Sequence, residues 1–501
     1  MNCNNCKIKN DIDKPRPNCA VVGAYNHPQA SIMAYYMLHA LQHRGQEASG
    51  ITSIYYDEKR KKKRYAYTRG EGLVLDVFSD PKTLTEVLRG DSAIGHNRYS
   101  TTGSSTRANI QPFNMLYHSG ILAMSHNGNL TNTTELREEL QNQGTIFQTT
   151  TDTEIFMHLI AHSKKKNRID QIHEALRTTV GAYSLAILTE NALVGARDPH
   201  GVRPLNIGRK KVGDEYAYFL ASETCAFDII SAEYVRSVKH NEIVVIDDDT
   251  VKTGKIKSLN IADETPEAKH CIFEYIYFSR PDSKIFGHNV DKIRRNLGKN
   301  LADESPVIPE NDGKVKIIAV PDSGNTATLG FAKNNYKNHP SKFEIGFIRS
   351  HYVGRTFIAP GQDNREFKVK VKFNTVKGVL NDSNIVIIDD SVVRGTTSKS
   401  LIKLAAESGP KEIHMRITSP PIKFPCHYGM DFPSKEELIA NYYENEEEIG
   451  KAIGVKSMHY LTKEKLLETV PDDEGIGYCT ACFDGNYPIP IDMSHKKDSA
   501  E

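Results

Sequence analysis

Residues 385–398, IVIIDDSVVRGTTS, decide the fold of the second half of this 501-residue chain. Ile385 to Ile388 read as a buried strand that ends at Asp389 and Asp390, and a hydroxyl-rich loop containing Gly395 then leads into a helix beginning near Ser398. At that helix N-terminus the backbone N–H groups of Arg394 to Ser398 can surround a phosphate, with the hydroxyls of Thr396, Thr397 and Ser398 as further donors. The two carboxylates before the loop can accept hydrogen bonds from vicinal ribose hydroxyls. The loop lacks the Gly-Lys-Ser/Thr ending of a Walker motif and the Gly-x-Gly-x-x-Gly spacing of a dinucleotide turn, so it points to a sugar phosphate. Around it, "KVKIIAVPDS" (314–323), "SNIVIIDDS" (383–391) and "EIHMRITSPP" (412–421) alternate with helical segments, which predicts a parallel sheet.

The first half has a different grammar. Short apolar or alternating runs, among them "SAIGHNRYS" (92–100), "ILAMSHNG" (121–128), "YSLAILT" (183–189), "AYFLAS" (217–222) and "EIVVIDDD" (242–249), are separated by Gly, Asn and Asp turns. They predict layered sheets with few helices. The change of pattern places a boundary near residues 255–270. Residues 1–18 are polar, with Pro15 and Pro17 and no hydrophobic periodicity, and read as a tail. Folded structure is expected from Cys19, where a strand-like run to Ala24 precedes a helical repeat of Ile32, Met33, Tyr36, Met37, Ala40 and Leu41 ending by Gly45. The basic run "KRKKKR" (59–64), between "ITSIYY" and "YAYTR", reads as a solvated hairpin tip, and Lys164 to Lys166 as a solvated helix end.

Composition limits the partners. With 64 basic and 63 acidic residues the formal net charge is +1, so no global field favours nucleic acid or an anionic membrane. No stretch approaches the roughly 18 to 20 apolar residues needed to span a bilayer, and the first eighteen residues lack the apolar core of a secretory signal. A cytoplasmic enzyme is expected. Eight cysteines are too sparse for a disulfide scaffold at this length, which favours metal or catalytic use.

With "SRPDS" (279–283), "VPDSG" (320–324) and "YVGRTFI" (352–358), the phosphate loop resembles the phosphoribosyl-pyrophosphate (PRPP) motif of type I phosphoribosyltransferases, and in particular that of the glutamine PRPP amidotransferases. The likeness runs from Cys19 to about residue 490. It implies an α+β N-terminal-nucleophile glutaminase domain of layered αββα form, followed by an α/β type I phosphoribosyltransferase domain with a parallel sheet. The expected divisions are a leader at 1–18, a glutaminase domain at 19–258, a phosphoribosyltransferase domain at 259–490 and a polar tail at 491–501. By the same resemblance Asp389 and Asp390 hold the ribose and, with Ser323, the Mg2+ of Mg–PRPP, as suits a hard cation that shares substrate phosphates. Arg394, Gly395, Thr396, Thr397 and Ser398 take the phosphate. The segment 349–374, with Arg355, Arg365, Lys370 and Lys372, resembles the loop that closes over pyrophosphate; Arg355 and Lys372 are assigned to PRPP.

For the first half the resemblance implies that Cys19 becomes the N-terminal residue. A thiol beside a free α-amine, whose unperturbed pKa is about 7.7 to 8.0, can attack the glutamine carboxamide and pass its proton to leaving ammonia. "HNGNL" (126–130) offers the Asn127 side chain and Gly128 N–H as an oxyanion hole. "GHNRYST" (95–101) offers Arg98 for the glutamine carboxylate, "TDTE" (151–154) offers Asp152 for its ammonium, and "HRGQ" (43–46) adds Arg44 to the glutamine site or to the surroundings of the nucleophile. The sequence departs from the family at Ala20, where Gly usually follows the nucleophile, at Asn18, where an acidic residue often precedes it, and at Ser350 and His351, where Asn usually precedes "YVGRTFI".

Cys479 and Cys482 form a C-x-x-C in "YCTACF", with Cys271 before "IFEYIYFSRPDS" and Cys426 in "PPIKFPCHYG". Their spacing suits zinc or a [4Fe-4S] cluster; the resemblance favours the iron cluster held in one branch of the family. Cys225 in "ASETCAF" reads as core, and Cys3 and Cys6 lie in the leader. The resemblance further implies a homotetramer inhibited by purine nucleotides, making 5-phosphoribosylamine from PRPP and glutamine in purine synthesis. A PRPP-sensing regulator without catalysis is the main rival, and a glutaminase feeding a different acceptor the second. Retention of Cys19, Asn127 and Asp152 speaks against the first, and residues 385–398 against the second.

Overall fold

The strand Ala20–Tyr25 is apolar at every position because both its faces are covered. Ala20, Val22 and Ala24 pack against Ala34, Met37 and Leu38 of the helix Ala30–Ala40. Val21 and Tyr25 turn the other way, into a second core with Ile94, Ile121, Ala186 and Leu193. The chain is seen here as a computed structural model that describes residues 19–99, 107–309, 313–350, 365–473 and 475–491. The leader, "YVGRTFI" with Arg355, and residues 492–501 lie outside the described residues.

Ala20–Tyr25 is the fourth strand of a seven-stranded sheet, in the order Glu233–Ser237, Asn206–Val212, Glu215–Ala221, Ala20–Tyr25, Ser92–Arg98, Ala48–Asp57 and Lys62–Glu71. A six-stranded sheet lies against it, in the order Lys257–Asn260, Glu242–Asp247, Ala192–Arg197, Gly181–Thr189, Gly120–Leu130 and Phe113–Tyr117. The helices Thr153–His162 and Arg168–Thr178 cover its outer face through Phe156, Ile160, Ile172 and Leu176. Each such buried side chain contributes about 1.5–3 kcal/mol. Arg168–Thr178 starts behind Asn167, whose side chain accepts from the Ile169 N–H at 2.8 Å, a cap worth about 1 kcal/mol. The layers are therefore helix, sheet, sheet, helix, the αββα arrangement expected. The basic run sits on the hairpin of Ala48–Asp57 and Lys62–Glu71, at its tip and on the start of the return strand.

The second compact unit holds a five-stranded parallel sheet, in the order Ser341–Glu344, Val315–Ala319, Asn384–Asp389, Glu412–Ile417 and Ser457–Tyr460. Asn384–Asp389 is paired on both sides and buried at every residue, which explains its unbroken apolar run. Numbered along the chain, these strands lie 2-1-3-4-5, so the order reverses between Val315–Ala319 and Asn384–Asp389.

The division between the units is not the single cut near residue 258 that the sequence suggests. The six-stranded sheet ends at Asn260, but the first unit continues to Asp291 and takes in Cys426–Asp431 and the chain from Pro471; the second is Lys292–Pro425 with Phe432–Val470. Long-range pairing is the cause: Ala268–Cys271 forms a parallel ladder with Ile476–Cys479, and no local pattern announces such a partner. Among the described residues no helix is long and apolar enough to cross a membrane.

Candidate active site

The first unit holds the expected residues Cys19, Arg98, Asn127, Gly128 and Asp152. Ala20 pairs with Asn97, which sets Cys19 beside the strand end bearing Arg98. The Cys19 thiol is buried and donates to the Tyr99 carbonyl at 3.5 Å. Burial pushes its pKa up; the Tyr99 contact and Arg98 pull it down, and Glu47 and Asp152 push it further up. A thiol held in its neutral form needs a base to become a nucleophile.

Asn127 lies in the strand Gly120–Leu130, 1% exposed, and neither its amide nitrogen nor its amide oxygen has a partner among the described residues. Its neighbour Gly128 has φ +147°, and a Cβ there would lie 2.0 Å from the Ala182 carbonyl oxygen. Only glycine fits. A buried amide without partners is destabilising unless a ligand satisfies it.

Asp152 is buried too. Burial alone would raise its pKa, but His126 and the backbone N–H groups of Leu130 and Thr153 hold the carboxyl below the usual range. Leu130 N donates to Oδ2 at 2.9 Å, and His126 Nδ1 lies 3.4 Å from Oδ1. Asp152 thus stays ionised at every pH above the ordinary carboxylate range, and loses its charge only as the pH falls through its lowered folded value. Asp152→Asn, which keeps the shape and removes the charge, is expected to raise KM for glutamine about tenfold to a hundredfold, the loss of one charge-assisted contact, with kcat changed far less. Steady-state glutaminase assays above pH 6 check this.

Of the two places expected for Arg44, the glutamine site or the surroundings of Cys19, its contacts match the second: it is completely buried and engaged by carboxylates, with Nη1 donating to Glu223 Oε1 at 2.6 Å and Nη2 to Glu274 Oε1 at 2.7 Å. Its Nε reaches the Cys19 carbonyl oxygen at 3.4 Å. The guanidinium therefore holds the Cys19 backbone and does not present a free fork to a ligand. Sequence reading missed both carboxylates. Glu223 stood in "ASETCAF" beside a cysteine, and Glu274 in an aromatic run, where neither position signals a buried charge. Breaking such a buried pair from one side costs about 3–5 kcal/mol. "SRPDS" serves this same cluster: Ser279 Oγ donates to Glu274 and Ser283 Oγ to Glu223, each at 2.7 Å.

The phosphate loop lies in the second unit, at the point where the strand order reverses. In open α/β sheets this is where ligands bind, outside the carboxyl ends of the strands. "VPDSG" leaves Val315–Ala319 and "DDSVVRGTTS" leaves Asn384–Asp389, so Ser323 and the two aspartates rise from neighbouring strands. Asp389 and Asp390 are 2% and 1% exposed. Asp389 Oδ1 accepts from Asp390 N at 2.9 Å, and Asp390 Oδ1 from Ser391 Oγ at 2.6 Å. Gly395 caps the helix Thr396–Ala406, so Thr396, Thr397 and Ser398 form its first turn, two residues earlier than expected. Arg394 is paired with Glu437 at 2.8 Å. Of the pyrophosphate segment, Phe347–Arg349 pairs antiparallel with Phe373–Thr375, and Lys372 ends the helix Arg365–Lys372. Lys370 is tied to Glu407 at 3.0 Å.

The cluster cysteines fold in the first unit, although the sequence placed them with the second half. Cys271 and Cys479 are register partners in the parallel ladder. Burial, followed by Cys479, Cys271 and Cys426, drives the Cys482 thiol far above its ordinary range, and burial holds Cys271 up at about 11. Cys479, Cys271 and Cys426 are thus near enough to Cys482 to disfavour its ionisation. No group of three or more His, Cys, Asp or Glu side chains is assembled as a metal site among the described residues. Cys225 is buried core, as expected.

The fold and these two sites define a class: glutamine amidotransferases joined to a phosphoribosyltransferase unit. A sequence model of the glutamine amidotransferase domain matches residues 96–228. Amidophosphoribosyltransferase 2, chloroplastic, of Arabidopsis thaliana is 47% identical over 95% of this chain and 80% of its own; the amidophosphoribosyltransferase of Bacillus subtilis is 44% identical over 94% of each. The solved glutamine PRPP amidotransferase from B. subtilis, complexed with ADP and GMP, superposes with a TM-score of 0.85 at 42% identity, over 96% of this chain and 100% of that one. The chain belongs to the amidophosphoribosyltransferase family. It performs the family's reaction, the conversion of PRPP, glutamine and water to 5-phosphoribosylamine, glutamate and pyrophosphate, the first committed step of de novo purine synthesis.

Proposed function

We propose that removal of residues 1–18 frees the Cys19 amine, and that this residue then makes ammonia for the PRPP site. The thiol gives its proton to the α-amine and adds to the carboxamide carbon; the C–N bond breaks as the amine returns the proton to nitrogen, and water hydrolyses the thioester to glutamate. Asn127 Nδ2 and Gly128 N–H take the oxyanion, while Arg98 and Asp152 bind the carboxylate and ammonium of glutamine. Ammonia then attacks C1 of PRPP, the bond to pyrophosphate breaks, and the nitrogen loses a proton. The reading rests on the partnerless, buried Asn127 amide, in the same compact unit as the buried Cys19 thiol.

In the second unit, Arg394 to Ser398 hold the 5-phosphate, Asp389 and Asp390 the ribose, and Arg355 and Lys372 face pyrophosphate. Ser323, Asp389 and Asp390 would hold Mg2+, which neutralises the leaving pyrophosphate; a paired, buried carboxylate set after the strand supports this. Cys271, Cys426, Cys479 and Cys482 would hold a [4Fe-4S] cluster, a redox-capable group taken here as a structural tie. The pairing of Cys271 with Cys479 and the place of all four cysteines in one compact unit support it, and iron and sulfide analysis with a visible spectrum of anaerobically prepared protein decides between iron and zinc. A homotetramer, inhibition by purine nucleotides and a cytoplasmic location complete the reading. The B. subtilis relative solved with ADP and GMP supports the inhibition; plant relatives named chloroplastic make cell fractionation the test of location.

The primary experiment is intact mass and N-terminal sequence beside glutaminase activity. A chain beginning at Cys19 and active is expected, whereas full activity with residues 2–18 retained would sink the free-amine mechanism. A second variant tests the oxyanion hole: Asn127→Ala should lower glutaminase kcat about 10²–10³-fold with little change in KM.

A further inference from the structure

Cys426–Asp431 is separated from the glutaminase residues by most of the chain, yet it folds in their unit. It touches both halves of that site. On the oxyanion side, Gly429 has φ +98°, and a Cβ there would lie 2.9–3.0 Å from the Gly128 backbone. Asn129 Nδ2 also donates to the His427 carbonyl at 3.1 Å. On the nucleophile side, the Tyr428 carbonyl accepts from Arg203 Nε at 3.0 Å and Nη2 at 2.6 Å. Arg203 Nη1 lies 3.6 Å from Glu274 Oε1, the oxygen that holds Arg44 Nη2, and Arg44 Nε reaches the Cys19 carbonyl. Arg203, Glu274 and Arg44 are fully buried, so the path is not loosened by solvent.

We propose that Cys426–Asp431 is a positioning segment for ammonia production, setting Gly128 by direct backbone contact and Cys19 through Arg203, Glu274 and Arg44. The proposal rests on Cys19 as nucleophile and Gly128 as oxyanion donor. The segment is itself held from two sides: Tyr428 N donates to Cys426 Sγ at 3.3 Å, and the Tyr428 hydroxyl donates to the Ile489 carbonyl at 2.6 Å. None of these residues touches a reacting atom, so they act on geometry alone. A shift of about 1 Å at such a site lowers the rate about a hundredfold.

Two variants test it, Gly429→Ala from the oxyanion side and Arg203→Met from the nucleophile side, with Arg203→Lys as the conservative partner and Cys19→Ala measured alongside. Three readouts are taken on the full-length enzyme: glutaminase kcat and KM, 5-phosphoribosylamine formation from added ammonium, and the rate of Cys19 alkylation by iodoacetamide. The expected result is a kcat about a hundredfold lower in Gly429→Ala and Arg203→Met, KM within a few-fold, altered alkylation of Cys19 in Arg203→Met, partial recovery in Arg203→Lys, and ammonium-dependent synthesis retained. Equal loss of ammonium-dependent synthesis, or unchanged kcat and alkylation, overturns the proposal. A Cys19→Ala enzyme that keeps its glutaminase overturns the nucleophile reading, and this proposal with it.

Discussion

Cys19→Ala is expected to lower glutamine-dependent formation of 5-phosphoribosylamine by about four to six orders of magnitude, the range seen when a covalent nucleophile is removed. Synthesis from added ammonium should be unchanged within a few-fold. The asymmetry follows from the proposed roles: Cys19 would serve only the release of ammonia, and Asp389, Asp390 and the phosphate loop lie in the other compact unit. Cys19→Ser is the sharper version. It keeps an oxygen nucleophile of similar size but with a proton far harder to remove, so a large residual glutaminase rate would argue against thiol chemistry. Steady-state assays with glutamine and with ammonium chloride, run on the same preparation, give both numbers.

Asp390→Asn is expected to act in the opposite pattern. Asp389 and Asp390 are buried at the end of the central strand, so neutralising one removes a fixed charge from a site where solvent does not replace it. Loss of about two to three orders of magnitude in both the glutamine- and the ammonium-dependent reactions is expected, comparable to removing one clamp on a transferring group. Thermal melting, measured alongside, separates loss of the site from loss of the fold. A variant that lost only the glutamine-dependent reaction would remove these aspartates from the PRPP site.

The phosphate loop was legible because its signals are local: an apolar run, an acidic pair, a glycine and hydroxyls at a helix start all fall within residues 385–398. Its position at the reversal of strand order was not, because the order of parallel strands is a property of crossovers and leaves no trace in any one segment. Cys19, Arg98, Asn127 and Asp152 were found through the resemblance of their motifs. Arg44 shows the limit of that route. A motif tells which residue stands near the nucleophile, but its use depends on Glu223 and Glu274, which reach it from 179 and 230 residues away. The four cysteines fold in the first unit and not with the second half, because that unit is not a continuous stretch of chain. Tyr428 and Gly429 were quoted in "PPIKFPCHYG" only as the surroundings of Cys426.

The discontinuity of the first unit has a consequence for how the enzyme is born. Its strands from Ala20 to Asn260 leave the ribosome early, but the partner strand of Ala268–Cys271 and the segment lying on Gly128 are made near the end. At roughly 5–20 residues per second, the glutaminase half waits on the order of ten to forty seconds for pieces it cannot supply itself. A chain interrupted after its first half therefore carries Cys19 without the ladder partner of Ala268–Cys271 and without the segment that lies on Gly128. On the proposed roles, ammonia release would be reserved for chains long enough to contain the site that consumes it.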